Sequence, residues 1–112
     1  MPKEYRIYLE DILSCIGNIE EYSKGLSFSQ FSKDQMRIDA VIRNLEIIGE
    51  AVKKLPDEFR KDYRDVEWAK ISGLRDILIH EYFGVNLEII WDVVSNKIPD
   101  LKKSVKKIMT EI

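Results

Sequence analysis

Residues 75–82, Arg-Asp-Ile-Leu-Ile-His-Glu-Tyr, put a permanent cation, a carboxylate, the chain's one imidazole and a phenol within eight positions. An arginine can hold a phosphate with its planar fork of donors. A histidine can take or give a proton near neutral pH. Helical geometry decides which of these groups can cooperate. At about 100° per residue, Asp76 and His80 lie on nearly the same side. Asp76 can therefore accept a hydrogen bond from the imidazole, fix its tautomer and favour its protonated form. Arg75 and Tyr82, seven positions apart, also share a face. Arg75 and His80 are five apart, about 140° around the axis. One straight helix does not aim both at one substrate atom: either the helix end distorts near His80, or a second subunit supplies the missing angle. The same residues also read as the charged last turn of a surface helix, with His80 at the negative end of its dipole.

Other residues limit the chemistry. One histidine and one cysteine per chain exclude a Cys/His zinc site and any di-iron site built from paired Glu-x-x-His motifs. Cys15 cannot form an internal disulfide, which favours a reducing compartment, and within a helix it reads as a small core residue. Residues 97–107 hold five lysines (Lys97, Lys102, Lys103, Lys106 and Lys107) and one aspartate, a local charge of +4. They form either a solvated face opposite Leu101, Val105 and Ile108 or a patch that attracts phosphates. Trp68 and Trp91 read as packing residues. There is no glycine-rich phosphate loop, serine nucleophile elbow or metal-ligand spacing, so no cofactor is expected.

The elements that position these groups are helices. A chain of 112 residues is one domain with one unstapled core. Its 18 basic and 20 acidic side chains nearly cancel, to −2, so no global field marks a nucleic-acid or membrane binder. Without a signal-peptide or bilayer-spanning stretch it reads as soluble and cytoplasmic. Tyr5, Tyr8, Leu9, Ile12, Ile16 and Ile19 make one stripe of a helix over 5–24, which Gly25 can end in a left-handed conformation. Residues 26–31 read as a linker. Ser32 with Gln35 fits a capping box, and Met36, Ala40, Val41, Leu45, Ile48, Val52 and Leu55 carry the stripe to Pro56. Arg43, Glu46, Glu50 and Lys53 fall on the opposite face. A charged connection over 57–67 has room for one helical turn. A third long helix spans 68–83, with Trp68, Ile71, Leu74 and Leu78 buried and Gly84 ending it. Asn86 can cap the next. From Leu87 to Ile108 the apolar pattern continues across Pro99, as two helices or one kinked helix. The fold class is an all-α bundle of four or five helices in up-down arrangement.

Taken in order, Asn44-Leu45-Glu46-Ile47-Ile48-Gly49-Glu50-Ala51, Trp68-Ala69-Lys70-Ile71-Ser72-Gly73-Leu74-Arg75-Asp76, His80-x-Tyr82 and Trp91-Asp92 resemble the HepT-like family. These are HEPN-domain toxins of the HepT/MNT, or type VII, toxin–antitoxin systems. The resemblance runs along essentially the whole chain, and no position of its Arg-x-x-x-x-His-x-Tyr motif departs from the pattern. It implies a symmetric homodimer with the two motifs lining a shared cleft, and metal-independent cleavage of RNA. By that resemblance Arg75 and His80 are the catalytic pair and Asp76 supports them. Tyr82 matches the tyrosine that a partner antitoxin, a minimal nucleotidyltransferase, modifies with AMP. The chemistry is consistent: RNA carries its own nucleophile, the 2′-hydroxyl, and needs only a base, an acid and a cation for the phosphorane charge. Two other classes remain open. One is a non-catalytic helical partner of a nucleotidyltransferase, which the mildly acidic composition suits; the other is a nucleotide-binding sensor using Arg75 and the lysines.

Overall fold

The structure, a computed structural model, describes residues 4–81 and 84–112. Helix α1 spans Glu4–Ser23, α2 Phe28–Ser32, α3 Gln35–Lys54, α4 Asp57–Lys61, α5 Trp68–His80, α6 Leu87–Asp92 and α7 Ile98–Glu111. Among the described residues there are no strands, and the expected all-α architecture is observed. Helix α3 packs against α1 on one side and α5 on the other, and α7 closes over α1. The core runs from Leu9, Ile12, Ile16 and Ile19 of α1, through Val41, Ile48 and Val52 of α3, to Leu101, Val105 and Ile108 of α7. No helix among the described residues is long and apolar enough to cross a membrane.

Several local expectations are met for the reasons given. Gly25 takes φ 73° just after α1, the left-handed conformation that glycine adopts without strain. Asn86 caps α6, its side chain accepting from the Glu88 amide at 2.8 Å. The connection after Pro56 forms the single turn α4. Cys15 is buried in the core, and burial pushes its thiol pKa up.

Others need correction. The segment 26–31 is not a linker: it contributes most of α2, and the capping box is Ser27 with Gln30, each side chain bonded to the other's amide at 3.1 and 2.9 Å. The Ser32–Gln35 box does not form. The Ser32 hydroxyl donates to the Ser29 carbonyl, and Asp34 caps α3 through the Arg37 amide. Met36 is 82% exposed and Ala40 only half-buried, so the stripe of α3 starts at Ile38 instead. In α5, Trp68 and Leu78 are buried but Ile71 and Leu74 only partly so. Glu81 is the C-cap of α5 and donates its amide to the Ile77 carbonyl, so the helix ends at His80. Gly84 is therefore not its terminator. The expected extension to Phe83 falls on residues outside those described.

The last run forms two helices, α6 and α7, and the irregularity between them lies before Pro99, which stands in the first turn of α7. A π turn over Val93–Lys97 joins α6 to α7, and Ile98 donates to the Val93 carbonyl five residues back. Proline offers no amide and its ring crowds the carbonyl four residues earlier. A widened turn just before it lets the helical path continue.

Candidate nucleic-acid site

The candidate site is assembled across α3 and α5. Gly49, buried in α3, faces the stem of Arg75. A Cβ there would overlap Arg75 Cβ, with Cγ at 3.0 Å and the Ile71 carbonyl oxygen at 3.2 Å. The missing side chain thus opens the slot along which Arg75 leaves α5. Beyond the slot, Arg75 Nη2 lies 2.8 Å from Glu50 Oε2 and Nη1 donates to Asp76 Oδ1 at 3.1 Å. Its Nε is buried and makes no hydrogen bond among the described residues. Lys53 of α3, one turn beyond Glu50, pairs with the same Asp76 oxygen. Two cations and two carboxylates form one balanced network. Lys53, and then Arg75, hold the Asp76 carboxyl below the usual carboxylate range.

This network corrects one sequence reading and completes another. Asp76 is engaged by Lys53 and Arg75, not by His80, although the four-residue spacing allows the latter. Glu50 and Lys53, placed on the face opposite the apolar stripe, meet their counter-charges on α5. The signal that could have revealed them is the Gly49-Glu50 pair itself: a glycine inside a helix marks a close approach, and the next carboxylate lies beside whatever approaches.

His80 is exposed and is the last residue of α5. The helix runs without distortion from Arg75 to His80, so the two remain about 140° apart around the axis. Along α5 beside His80, Ile77 is 53% exposed and Ile79 44%; on α6, Ile89 is 57% exposed. A cavity of about 540 Å³ lies between α5 and the helices α3 and α7, lined by Ile48, Leu74, Ile77, Ile98 and Leu101. Tyr82 lies outside the described residues.

The lysines between residues 97 and 107 differ in their partners. Lys102 pairs with Glu20 of α1 at 3.0 Å and Lys97 lies 3.9 Å from Glu67, while Lys103, Lys106 and Lys107 are exposed. The two tryptophans pack as expected. The Trp68 indole donates to the Tyr63 carbonyl at 3.0 Å, and Trp91 lies against Phe31 with ring centres 4.9 Å apart.

The Ribonuclease HepT-like family model matches residues 12–108. The chain belongs to the HepT-like ribonuclease family. A relative from Caldanaerobacter subterraneus subsp. tengcongensis, named "Putative RNase", is 52% identical over 107 residues, covering 96% of each chain. A second of that name, from Methanocaldococcus jannaschii, is 47% identical over 113 residues, covering 100% of this chain and 93% of its own. A "Probable ribonuclease HepT" of Thermococcus cleftensis is 41% identical over 108 residues, covering 96% of this chain and 98% of its own. No solved structure matches the chain. Helix α5 with Arg75, Asp76 and His80, and the Gly49-Glu50 stretch of α3, all lie inside the segment that this HepT-like family model spans.

Proposed function

We propose that the protein is the ribonuclease toxin of a type VII (HepT/MNT) toxin–antitoxin system, cutting RNA without a metal at a site shared by two copies of the chain. Arg75 and His80 are the catalytic residues, and Asp76 supports them by holding Arg75 Nη1. The observation that carries this reading is the contrast along α5. Arg75 is held ready by groups from two helices, whereas His80 stands exposed at the helix end, about 140° away around the axis.

A histidine in that position is suited to work with an arginine on another subunit. A two-fold axis brings the second motif from the other side, and Ile77, Ile79 and Ile89 offer apolar surface for the contact. The 2′-hydroxyl of RNA attacks the adjacent phosphorus, and the bond to the 5′-oxygen breaks. One histidine accepts the 2′-hydroxyl proton, and the partner's histidine delivers a proton to the leaving 5′-oxygen. Arg75, always protonated, meets the charge that builds on the phosphorane oxygens. Tyr82, two positions beyond His80, is the residue a nucleotidyltransferase antitoxin modifies with AMP. The added phosphate would place a bulky anion next to the site and obstruct RNA.

The test compares the wild type with Arg75→Ala and His80→Ala on single-stranded RNA in the presence of EDTA. Wild-type cleavage with loss in both variants is expected. Equal cleavage by all three removes both assignments. For Tyr82, intact mass after incubation with the partner nucleotidyltransferase and ATP should rise by AMP units, and Tyr82→Phe should abolish the gain.

A further inference from the structure

The stretch Gly49-Glu50-Ala51, with Lys53 after it, belongs to none of the roles assigned above, yet it faces Arg75 directly. Gly49 supplies the slot, Glu50 the counter-charge at Nη2, and Lys53 the second hold on Asp76. Arg75 is fixed at three levels: its stem against Gly49, Nη2 by Glu50 and Nη1 by Asp76. Among the described residues, only Glu50 reaches the guanidinium from outside α5.

A stabilising role does not account for this arrangement. Ion pairs whose carboxylates are about half exposed contribute little to folding, and both Glu50 and Asp76 are of that kind. Drawing a guanidinium into a slot with its Nε buried costs hydration. What the arrangement does provide is direction. An arginine side chain has many rotamers to lose, and one restrained at both terminal nitrogens has lost them before a ligand arrives.

Resting on the ribonuclease reading, we infer that Glu50 is a positioning residue for RNA cleavage: it fixes the Arg75 guanidinium in the pose that meets the scissile phosphate, with Lys53 acting at one remove through Asp76. Glu50 touches no reacting atom in this role. It sets where Arg75 stands when charge develops on phosphorus, so its loss is felt in turnover more than in RNA binding.

The experiment measures kcat and KM on single-stranded RNA for the wild type, Glu50→Gln, Glu50→Asp and Lys53→Met. Glu50→Gln keeps the shape and removes the charge. It should lower kcat by about 10- to 100-fold, the scale of a displaced catalytic group, with KM changed by less than about threefold. Glu50→Asp, which keeps the charge on a shorter arm, should recover part of that loss. A second readout needs no cleavage: the ¹⁵N–¹H signal of the buried Arg75 Nε, assigned by its absence in Arg75→Lys. In the wild type it should be rigid and slow to exchange, and in Glu50→Gln mobile and fast. Wild-type kcat and a rigid Nε signal in Glu50→Gln, with Arg75→Ala inactive, would overturn the positioning role and leave the ribonuclease reading intact. A wild type that cuts no RNA, with Arg75 still loosened in Glu50→Gln, would remove the ribonuclease reading and keep Glu50 as the group that orders Arg75. If Glu50→Gln does not fold, Lys53→Met carries the test. A reduced kcat at unchanged KM supports the inference, and unchanged kcat together with an unchanged Nε signal overturns it.

Discussion

The two flanks of α3 are built on different principles. Toward α1 the contact is mainly aliphatic: Leu9, Ile12, Ile16 and Ile19 are fully buried, Arg37 Nη1 donates to the Tyr22 carbonyl at 2.9 Å, and the buried Asn44 is satisfied twice. It accepts from Asn18 at 3.0 Å and donates to the Ala40 carbonyl at 2.8 Å. Toward α5 the contact has a glycine where a side chain would pack, and two charged pairs at its rim. Aliphatic burial stabilises by removing surface from water, at roughly 25 cal/mol per Å², and tolerates no gaps. The charged flank contributes little of that kind but fixes the direction of an arginine. One helix therefore carries a flank that holds the fold and a flank that holds a reagent. Substitutions on the two should separate stability from activity.

The largest expected effect lies on the α1 flank. Ile16→Ala removes a fully buried side chain and should cost about 2–5 kcal/mol in chemical denaturation, while each folded molecule keeps its wild-type cleavage rate. A proportionate loss of specific activity at full folding would erase the distinction between the flanks.

The two flanks also differ in how far the sequence foretells them. The α1 flank is carried by a periodic stripe, and Leu9, Ile12, Ile16 and Ile19 emerge from spacing alone because burial and period report the same face. The charged flank is invisible to that logic. Periodicity sorts residues by one apolar face, but α3 lies between two helices, and Glu50 and Lys53 read only as opposite the stripe because their counter-charges sit 25 and 23 residues away in sequence. For the same reason Asp76 reads as a partner for His80: spacing ranks partners within a helix and is blind to a lysine arriving from the next one. The candidate residues Arg75 and His80 emerge from their motif, whereas the groups that hold Arg75 emerge only from the packing. At α2 the miss is of another kind. Both Ser27–Gln30 and Ser32–Gln35 have capping-box spacing, and the competition is decided by Asp34, which stands next to the start of α3 and caps it through the Arg37 amide.

A smaller effect is expected at the point where the charged flank is tightest. Gly49→Ala should raise helix propensity by about 1 kcal/mol, but its Cβ overlaps Arg75 Cβ and crowds the Ile71 carbonyl. Backbone cannot yield as a flexible side-chain tip can, so α3 and α5 must separate. The net expectation is a loss of about 1–3 kcal/mol, the usual range for overpacking, together with reduced RNA cleavage because Arg75 is displaced. This pairing distinguishes Gly49 from Ile16: both variants are destabilised, and only Gly49→Ala loses activity per folded molecule. A Gly49→Ala protein more stable than the wild type would show that the slot is not filled by Arg75 as described.

The smallest effect concerns Asp76 and has a sign that can be checked. Its carboxyl pKa is held below the ordinary value by Lys53 first and Arg75 second. A carboxylate depressed on folding adds stability that is fully present above its unfolded pKa, about 4, and is lost as pH falls through the lower folded value. Asp76→Asn removes that contribution at every pH. The difference in thermal midpoint between wild type and Asp76→Asn should therefore be constant above about pH 5 and shrink as acid is added below about pH 4. Because the carboxylate is half exposed, the same difference should also shrink as salt rises toward 1 M, where screening acts over only about 3 Å. A difference that instead grows in acid would mean that the protonated carboxyl is the stabilising form, which two cations on one oxygen do not permit. Asp76 would then have to be facing something other than Lys53 and Arg75, and the charged flank of α3 would lose its outer half.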